Sequence, residues 1–254
     1  MNEKRKPATS PDLNGLLGTT LNLLAYPLRK INKSVTRAVL KYSGNEKRFT
    51  HIYKTNSWAD TESVSGPGST LEYTKNLRRE LPILFDKFSI SSVFDAPCGD
   101  FNWMKEVLKT NQIDYIGGDI VKPLIKNHNQ NYNNANTKFL HFDITKDIFP
   151  KVDLWICRDC LFHLSFEDTK AALQQFVASN IPYILTTTHT DTVRFTNKNI
   201  RTGSCRLIDL FSTPYNFPDA VLFRIEDWIT PFDRREMCLW SRDQVIAALE
   251  RFGA

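Results

Sequence analysis

The fold is decided by residues 91–104, which read SSVFDAPCGDFNWM. Val93 and Phe94 supply the apolar character of a buried strand, and Pro97 and Gly99 end that strand in a tight polar turn. After the turn, apolar side chains recur at helical spacing. The glycine lets the backbone approach a ligand, and the start of the helix offers unpaired N–H groups to a carboxylate or phosphate. The stretch therefore predicts a nucleotide-type binding turn.

Three later stretches repeat the pattern of a short apolar strand that reaches an acid. They read YIGGDI (residues 115–120), FLHFDI (residues 139–144) and VDLWICRD (residues 152–159). Asp119 follows the glycine turn by roughly 20 residues. At this spacing, an acid typically accepts hydrogen bonds from the hydroxyls of a ribose. Because the carboxyl ends of parallel strands meet at one edge of a sheet, these acids are expected to line a single ligand site.

Strands and helices alternate from residue 90 to residue 185, and two further strands are expected at residues 221–225 and 237–240. Such alternation is typical of a parallel sheet that helices cover on both faces. The predicted fold is therefore an α/β fold with a Rossmann-like, seven-stranded, mostly parallel sheet and an N-terminal helical arm. An irregular insert, residues 197–218, is expected at the ligand edge of the sheet, where specificity usually resides.

Together these strand ends resemble the motifs of class I S-adenosylmethionine (SAM) dependent methyltransferases, over roughly residues 90–185. DAPCGD (residues 95–100) resembles the first motif of that family, and RDCLFHL (residues 158–164) resembles the segment after its fourth strand. Asp119 matches the ribose-binding acid and Asp143 the acid at the adenine edge. The resemblance implies SAM as cofactor, held by Asp95, Pro97, Cys98, Gly99, Asp119, Ile120, Asp143, Ile144 and Arg158.

The turn departs from the family pattern, because Pro97 and Phe101 stand where two glycines are usual. A nicotinamide-binding oxidoreductase requires all three glycines. The departure therefore weighs more heavily against that alternative than against a methyltransferase.

Methyl transfer from SAM to a hydroxyl needs alignment of the acceptor and a general base. His163 is the first candidate for this catalytic base, because histidine titrates near neutral pH, and Asp159 is the second. Both lie just after the fourth strand, where the methyl group is expected. The alternative role of His163 is a neutral ring that packs against the cofactor, and His189 is a further candidate base. No metal site is predicted.

The segment after the fourth strand predicts the class of acceptor. RDCL (residues 158–161) stands where amino-base methylating enzymes often carry an Asn-Pro-Pro-Tyr type signature. An oxygen acceptor is therefore favoured. By analogy with small methyltransferases associated with surface-glycan biosynthesis, we expect a sugar hydroxyl of a polysaccharide or glycan precursor. A small-metabolite or lipid O-methyltransferase, and a non-catalytic SAM-binding module, remain alternatives.

Charge divides the chain into two predicted parts. Residues 1–54 hold 11 Lys and Arg against 3 Asp and Glu, whereas residues 55–254 hold 22 against 25. We therefore predict a basic, partly helical arm over residues 1–54 and a methyltransferase domain over residues 55–254. The slightly acidic domain argues against a nucleic-acid partner. A helical stripe of apolar and basic residues over residues 13–42 predicts either peripheral membrane contact or packing on protein.

Cysteine usage and hydropathy predict the compartment. Five cysteines without framework spacing favour a reduced setting. No apolar run reaches the roughly 18 residues that a membrane-spanning helix needs. The expected location is cytoplasmic, with possible contact to the inner membrane face.

Overall fold

A seven-stranded sheet forms the centre of the computed structural model, which describes residues 43–191, 193 and 195–253. The strands run in the order β3-β2-β1-β4-β5-β7-β6. Strand β7 runs antiparallel to both of its neighbours, β5 and β6, and every other pair of neighbouring strands among the described residues is parallel. The prediction of a mostly parallel, seven-stranded α/β sheet is confirmed. The strands are β1 (Ser92–Asp95), β2 (Asp114–Asp119), β3 (Thr137–His141), β4 (Leu154–Cys157), β5 (Tyr183–His189), β6 (Phe223–Glu226) and β7 (Arg235–Ser241).

Strand β4 shows why the sheet is covered on both faces. Leu154 and Ile156 pack into one apolar cluster, whereas Trp155 and Cys157 pack into the other. All four side chains are buried. Successive residues of a strand point to opposite faces, so a continuous apolar run requires a core on each side.

Six helices are described. Ser165 caps α5 by accepting a hydrogen bond from the Asp168 N–H, and Ser241 forms a capping box with Gln244 at the start of α6. Short 3₁₀ turns cover Pro67–Ser69 and Leu161–His163. The helices are α1 (Asn45–Lys54), α2 (Lys75–Phe88), α3 (Met104–Leu108), α4 (Lys122–Asn131), α5 (Phe166–Ala178) and α6 (Arg242–Glu250).

Helix α1 belongs to the same compact unit as the sheet, which begins at Asn45 rather than at the predicted boundary between residues 54 and 55. The cause is a set of contacts to distant segments. Asn45 Nδ2 donates to Asp168 Oδ2 at 3.0 Å, and Arg48 Nη1 donates to the Thr202 carbonyl at 3.4 Å. Glu46 pairs with Lys122 at 3.0 Å. The predicted stripe over residues 13–42 lies outside the described residues.

The segment between β5 and β6 is irregular, as expected, and is anchored in the core. Its apolar side chains Ile208, Leu210, Tyr215 and Phe217 are buried. One boundary differs from the sequence expectation, because β3 ends at His141 and the chain turns at residues 144–146. No helix among the described residues is long and apolar enough to cross a lipid bilayer.

Candidate functional site

A cavity opens at the carboxyl ends of β1 and β4, where the strand order reverses. Open α/β sheets bind ligands at such a reversal point. Eleven of the twelve site residues named from the sequence line this one cavity, and the exception is His189. They are Asp95, Pro97, Cys98, Gly99, Asp119, Ile120, Asp143, Ile144, Arg158, Asp159 and His163.

The turn after β1 approaches Ser65 so closely that a side chain at residue 99 would displace it. Gly99 has a φ of 52°, and a Cβ built on it would lie 2.4 Å from Ser65 Oγ. Backbone bonds hold the turn against β2. The Cys98 N–H donates to the Gly118 carbonyl at 2.8 Å, and the Gly99 N–H donates to Asp119 Oδ2 at 3.2 Å. The turn and the acid at the end of β2 are therefore one structural element.

Asp119 is buried and retains hydrogen-bonding capacity. Its Oδ1 accepts from the Val121 N–H at 2.9 Å, while Oδ2 accepts from Gly99. A carboxylate has about four acceptor sites, and the Ile120 N–H also donates toward this one, so at least one site remains for a hydroxyl of a diol. Burial raises the pKa of Asp119 to about 6.

Asp95, at the end of β1, is also buried. Tyr115 Oη donates to its Oδ2 at 2.9 Å. Burial raises the pKa of Asp95 to about 7, although the Tyr115 hydrogen bond and the nearby Arg158 lower it. The cavity floor therefore holds a carboxyl that is readily protonated near neutral pH.

The turn after β3 supplies Asp143 and Ile144 to the cavity wall. Asp143 Oδ1 accepts from the Thr145 N–H at 3.0 Å and from the Thr145 hydroxyl at 2.6 Å. Its Oδ2 lies 3.3 Å from Lys146 Nζ. The carboxylate predicted to meet the adenine edge thus also holds its own turn. Ile120 and Ile144 add apolar surface to this wall.

Arg158 lines the cavity, but its donors are used within the protein. Its Nε and Nη2 donate to the two carboxylate oxygens of Asp227, at 2.9 and 3.0 Å. Nη2 also donates to the Gly68 carbonyl at 2.7 Å. These bonds fasten the connector between α1 and α2 (residues 55–74) to the end of β4, and the direct cofactor contact that the sequence predicted for Arg158 stays a prediction.

Asp159 belongs to the same ionic cluster. Both of its carboxylate oxygens lie 2.9 Å from the Arg235 guanidinium, and Arg158 Nη1 is 3.3 Å away. Burial raises the pKa of Asp159, but the two guanidinium groups outweigh burial and hold this pKa below its usual value. A carboxylate held in this way is a weak proton acceptor. The geometry therefore argues against Asp159, the second candidate, as the base.

His163 has the geometry of a base. Its Nδ1 lies 2.8 Å from the Ser204 carbonyl, which can only accept, so Nδ1 carries the proton and Nε2 has the free lone pair. Burial lowers the pKa of His163, which keeps the ring neutral at neutral pH. The ring lies 5.7 Å from that of Trp58 between centroids.

His189 is held differently by the insert. His189 Nδ1 lies 3.1 Å from the Ile208 backbone nitrogen and 3.3 Å from the Ile208 carbonyl oxygen. His163 lines the cavity, whereas His189 does not. His163 is therefore the better placed of the two histidines to take up a proton.

The sequence matches no protein-family model and no curated protein. The structure is similar to magnesium protoporphyrin IX methyltransferase from Synechocystis PCC 6803 with bound SAH, at a TM-score of 0.52 and 13% identity, over 83% of this chain and 99% of that chain. It is also similar to human N-acetylserotonin methyltransferase in complex with SAM, at a TM-score of 0.50 and 15% identity, over 67% of this chain. A third similar structure is the methyltransferase domain of bacterial CtHen1, at a TM-score of 0.50 and 13% identity, over 66% of this chain and 99% of that chain.

The chain has a methyltransferase fold. It spans about half of the human protein, 52% of that chain. Within this methyltransferase fold, the described residues include no group of three or more His, Cys, Asp or Glu side chains arranged to hold a metal ion.

Sequence reasoning missed one wall of the cavity, which α1 and Trp58 supply. Asn45, Phe49, Tyr53 and Trp58 line the cavity, although residues up to 54 were assigned to the arm. None of the α1 residues is fully buried. One signal was available, because Phe49 and Tyr53 are four residues apart and share a helix face.

Proposed function

We propose that this protein binds SAM in the cavity and transfers its methyl group to an oxygen acceptor. One observation carries the proposal. The residues that the methyltransferase resemblance selected from four separate strand ends lie together around one cavity, at the reversal point of the sheet. Two similar solved methyltransferases, which contain SAM or SAH, support this assignment.

In the proposed complex, each part of the cavity meets a part of the cofactor. Asp119 accepts hydrogen bonds from the ribose hydroxyls of SAM, and the Gly99 turn allows the backbone to approach the methionine end of SAM. The turn after β3 and the apolar side chains Ile120 and Ile144 face the adenine. When bound, SAM supplies a methyl group on a sulfonium that an acceptor oxygen can attack in line.

His163 is the proposed base. Its Nε2 would receive the proton of the acceptor hydroxyl, while the Nδ1–H bond to the Ser204 carbonyl fixes the ring. The insert that supplies Ser204 also holds the His163 backbone, because the Gly203 N–H donates to the His163 carbonyl at 2.8 Å. The acceptor would therefore meet the insert as it reaches the base.

For the acceptor, we propose a sugar hydroxyl of a polysaccharide or glycan precursor. The support is the RDCL segment after β4 together with the aromatic, polar insert beside His163. A small-metabolite or lipid acceptor would use the same cofactor residues. A non-catalytic SAM-binding module is the alternative from another class, and it would bind SAM without turnover.

The first test is calorimetric titration of SAM into the wild-type protein and into Asp119→Asn. Loss of the ribose contacts is expected to weaken binding at least tenfold, about 1.4 kcal/mol. Asp114→Asn is the matched control, since Asp114 is exposed at the opposite end of the same strand, and it should bind as the wild type does. Equal affinities for all three proteins, or binding of a nicotinamide cofactor instead, would contradict the cofactor assignment.

The acceptor is then sought by transfer of a labelled methyl group from SAM onto saccharide, lipid and small-metabolite fractions. Label in saccharide is the expected result. Label in another fraction would refute the sugar acceptor, and SAM binding without label in any fraction would favour the non-catalytic module.

We also propose that the protein is cytoplasmic and that residues 13–42 make a peripheral contact with anionic membrane. Lys30, Lys33, Arg37 and Lys41 supply the charge on one side of the sequence stripe. The full chain should sediment with phosphatidylserine vesicles but not with neutral ones. Replacing these four residues by Glu should abolish that sedimentation, and a full chain that does not sediment with the anionic vesicles would instead favour packing on protein.

A further inference from the structure

One buried histidine has no place in the proposed chemistry. His128, on α4, is 1% exposed, and its Nε2 lies 2.7 Å from the Gly99 carbonyl. A carbonyl only accepts, so Nε2 carries the proton and donates to the turn. The bond therefore joins a helix on one face of the sheet directly to the glycine turn of the cavity.

The other nitrogen of this ring is left without a partner. His128 Nδ1 is buried and has no hydrogen-bond partner. The ring packs instead among aromatic side chains, with centroid distances of 4.8 Å to Phe139, 5.8 Å to Tyr132 and 6.1 Å to Phe101. An unsatisfied buried nitrogen is destabilising, and an apolar side chain would avoid that cost. The bond to Gly99 is the feature that an apolar side chain could not supply.

The peptide group that His128 contacts is held at both of its ends. Its carbonyl belongs to Gly99, and its N–H, that of Asp100, donates to Ser65 Oγ at 2.8 Å. The preceding peptide is also fixed, since the Gly99 N–H donates to Asp119 Oδ2. Three distant segments thus set the orientation of two successive peptides beside the cavity.

We propose that His128 is a positioning residue for the cofactor turn, acting through the Gly99 carbonyl with Ser65 at the other end of the same peptide. This inference rests on the proposed function, because the turn is taken to contact SAM. Without the His128 donor, the peptide can rotate and the turn loses its binding geometry. His128 itself touches no cofactor atom in this scheme.

The test compares three variants by calorimetric titration of SAM, each measured well below its own Tm. His128→Met removes the donor and should weaken binding about tenfold. His128→Gln places an amide N–H near the former Nε2 and should restore affinity to within about threefold of wild type. Asn129→Met is the matched control, because Asn129 donates from the same helix to the carbonyls of Ile125 and Phe139 but not to the turn.

Several results would overturn the inference. His128→Met with wild-type affinity would do so, as would a loss in Asn129→Met equal to that in His128→Met, or no recovery in His128→Gln. If His128→Met does not fold, Ser65→Ala carries the test, with an expected loss of about threefold or more. Wild-type affinity in Ser65→Ala would then refute the inference.

Failure of this inference can be told apart from failure of the proposed function. Wild-type protein that does not bind SAM contradicts the proposed function itself. Wild-type binding that Asp119→Asn weakens, together with full binding by His128→Met, contradicts the role of His128 alone.

Discussion

Asp95→Asn is expected to change the pH dependence of stability. The Asp95 carboxyl is buried at the end of β1, and burial raises its pKa from 3.8 to about 7. The folded protein therefore binds this proton more tightly than the unfolded chain does. Stability from this group is present at low pH and is lost as pH rises from about 4 through about 7.

The size of the effect is set by the pKa of about 7. Each pH unit between the two pKa values is equivalent to about 1.36 kcal/mol. From pH 5 to pH 8 the wild-type protein should thus lose about 3 kcal/mol of unfolding free energy through this one group. Asn is uncharged and can still accept from Tyr115 Oη, so the variant should not show this loss.

The assay is urea unfolding of wild type and Asp95→Asn at pH 5 and pH 8. The difference in unfolding free energy between variant and wild type should be about 3 kcal/mol more favourable to the variant at pH 8 than at pH 5. Asp114→Asn, the exposed control on β2, should give the same difference at both pH values. A variant-minus-wild-type difference that does not change with pH would refute a raised Asp95 pKa.

Three further predictions concern catalysis, cofactor charge and the opposite sheet edge. His163→Gln should lower kcat for labelled methyl transfer about 10²–10⁴-fold while the Kd for SAM changes little; unchanged kcat would leave His163 as a packing ring. Burial raises the pKa values of Asp95 and Asp119 to about 7 and about 6, and only the ionised carboxyls attract a sulfonium. Calorimetric titrations should therefore show that the affinity for SAM increases relative to the affinity for SAH from pH 5.5 to pH 8. A ratio of the two affinities that does not change with pH would contradict this prediction. Burial raises the pKa of Asp153, but hydrogen bonds from Ser91 and Ser92 outweigh burial and lower this pKa. Asp153→Asn should therefore lose about 1–2 kcal/mol of unfolding free energy at pH 7, and less at pH 3, where the wild type has also lost that stability. Equal losses at the two pH values would argue against a lowered Asp153 pKa.

The turn and the strand ends could be predicted because their signals are local. Val93 and Phe94 mark the strand, and Gly99 marks a position where a side chain would collide with Ser65 of the connector. Asp119 ends β2 as expected. The end of β3 was placed too late, because Asp143 bonds to Thr145 and turns the chain before the apolar run is complete.

The role of Arg158 could not be predicted, because its partner is remote in the sequence. Asp227 lies 69 residues further on, between β6 and β7, and no local pattern links the two. Position alone placed Arg158 at the cofactor. The wall supplied by α1 was missed for the same reason, since its polar contacts reach 123 and 154 residues along the chain.

These long separations have a consequence for how the protein folds and opens. Helix α1 is made before any strand, yet its contacts to Asp168 and Thr202 form only after the insert is in place. Among the described helices, α1 alone has no buried residue, so we expect it to detach most readily. We expect its amide hydrogens to exchange with solvent faster than those of β1 and β4, through openings that leave the sheet intact. Because Phe49 and Tyr53 of α1 line the cavity, such an opening would uncover the cavity while the sheet stays folded.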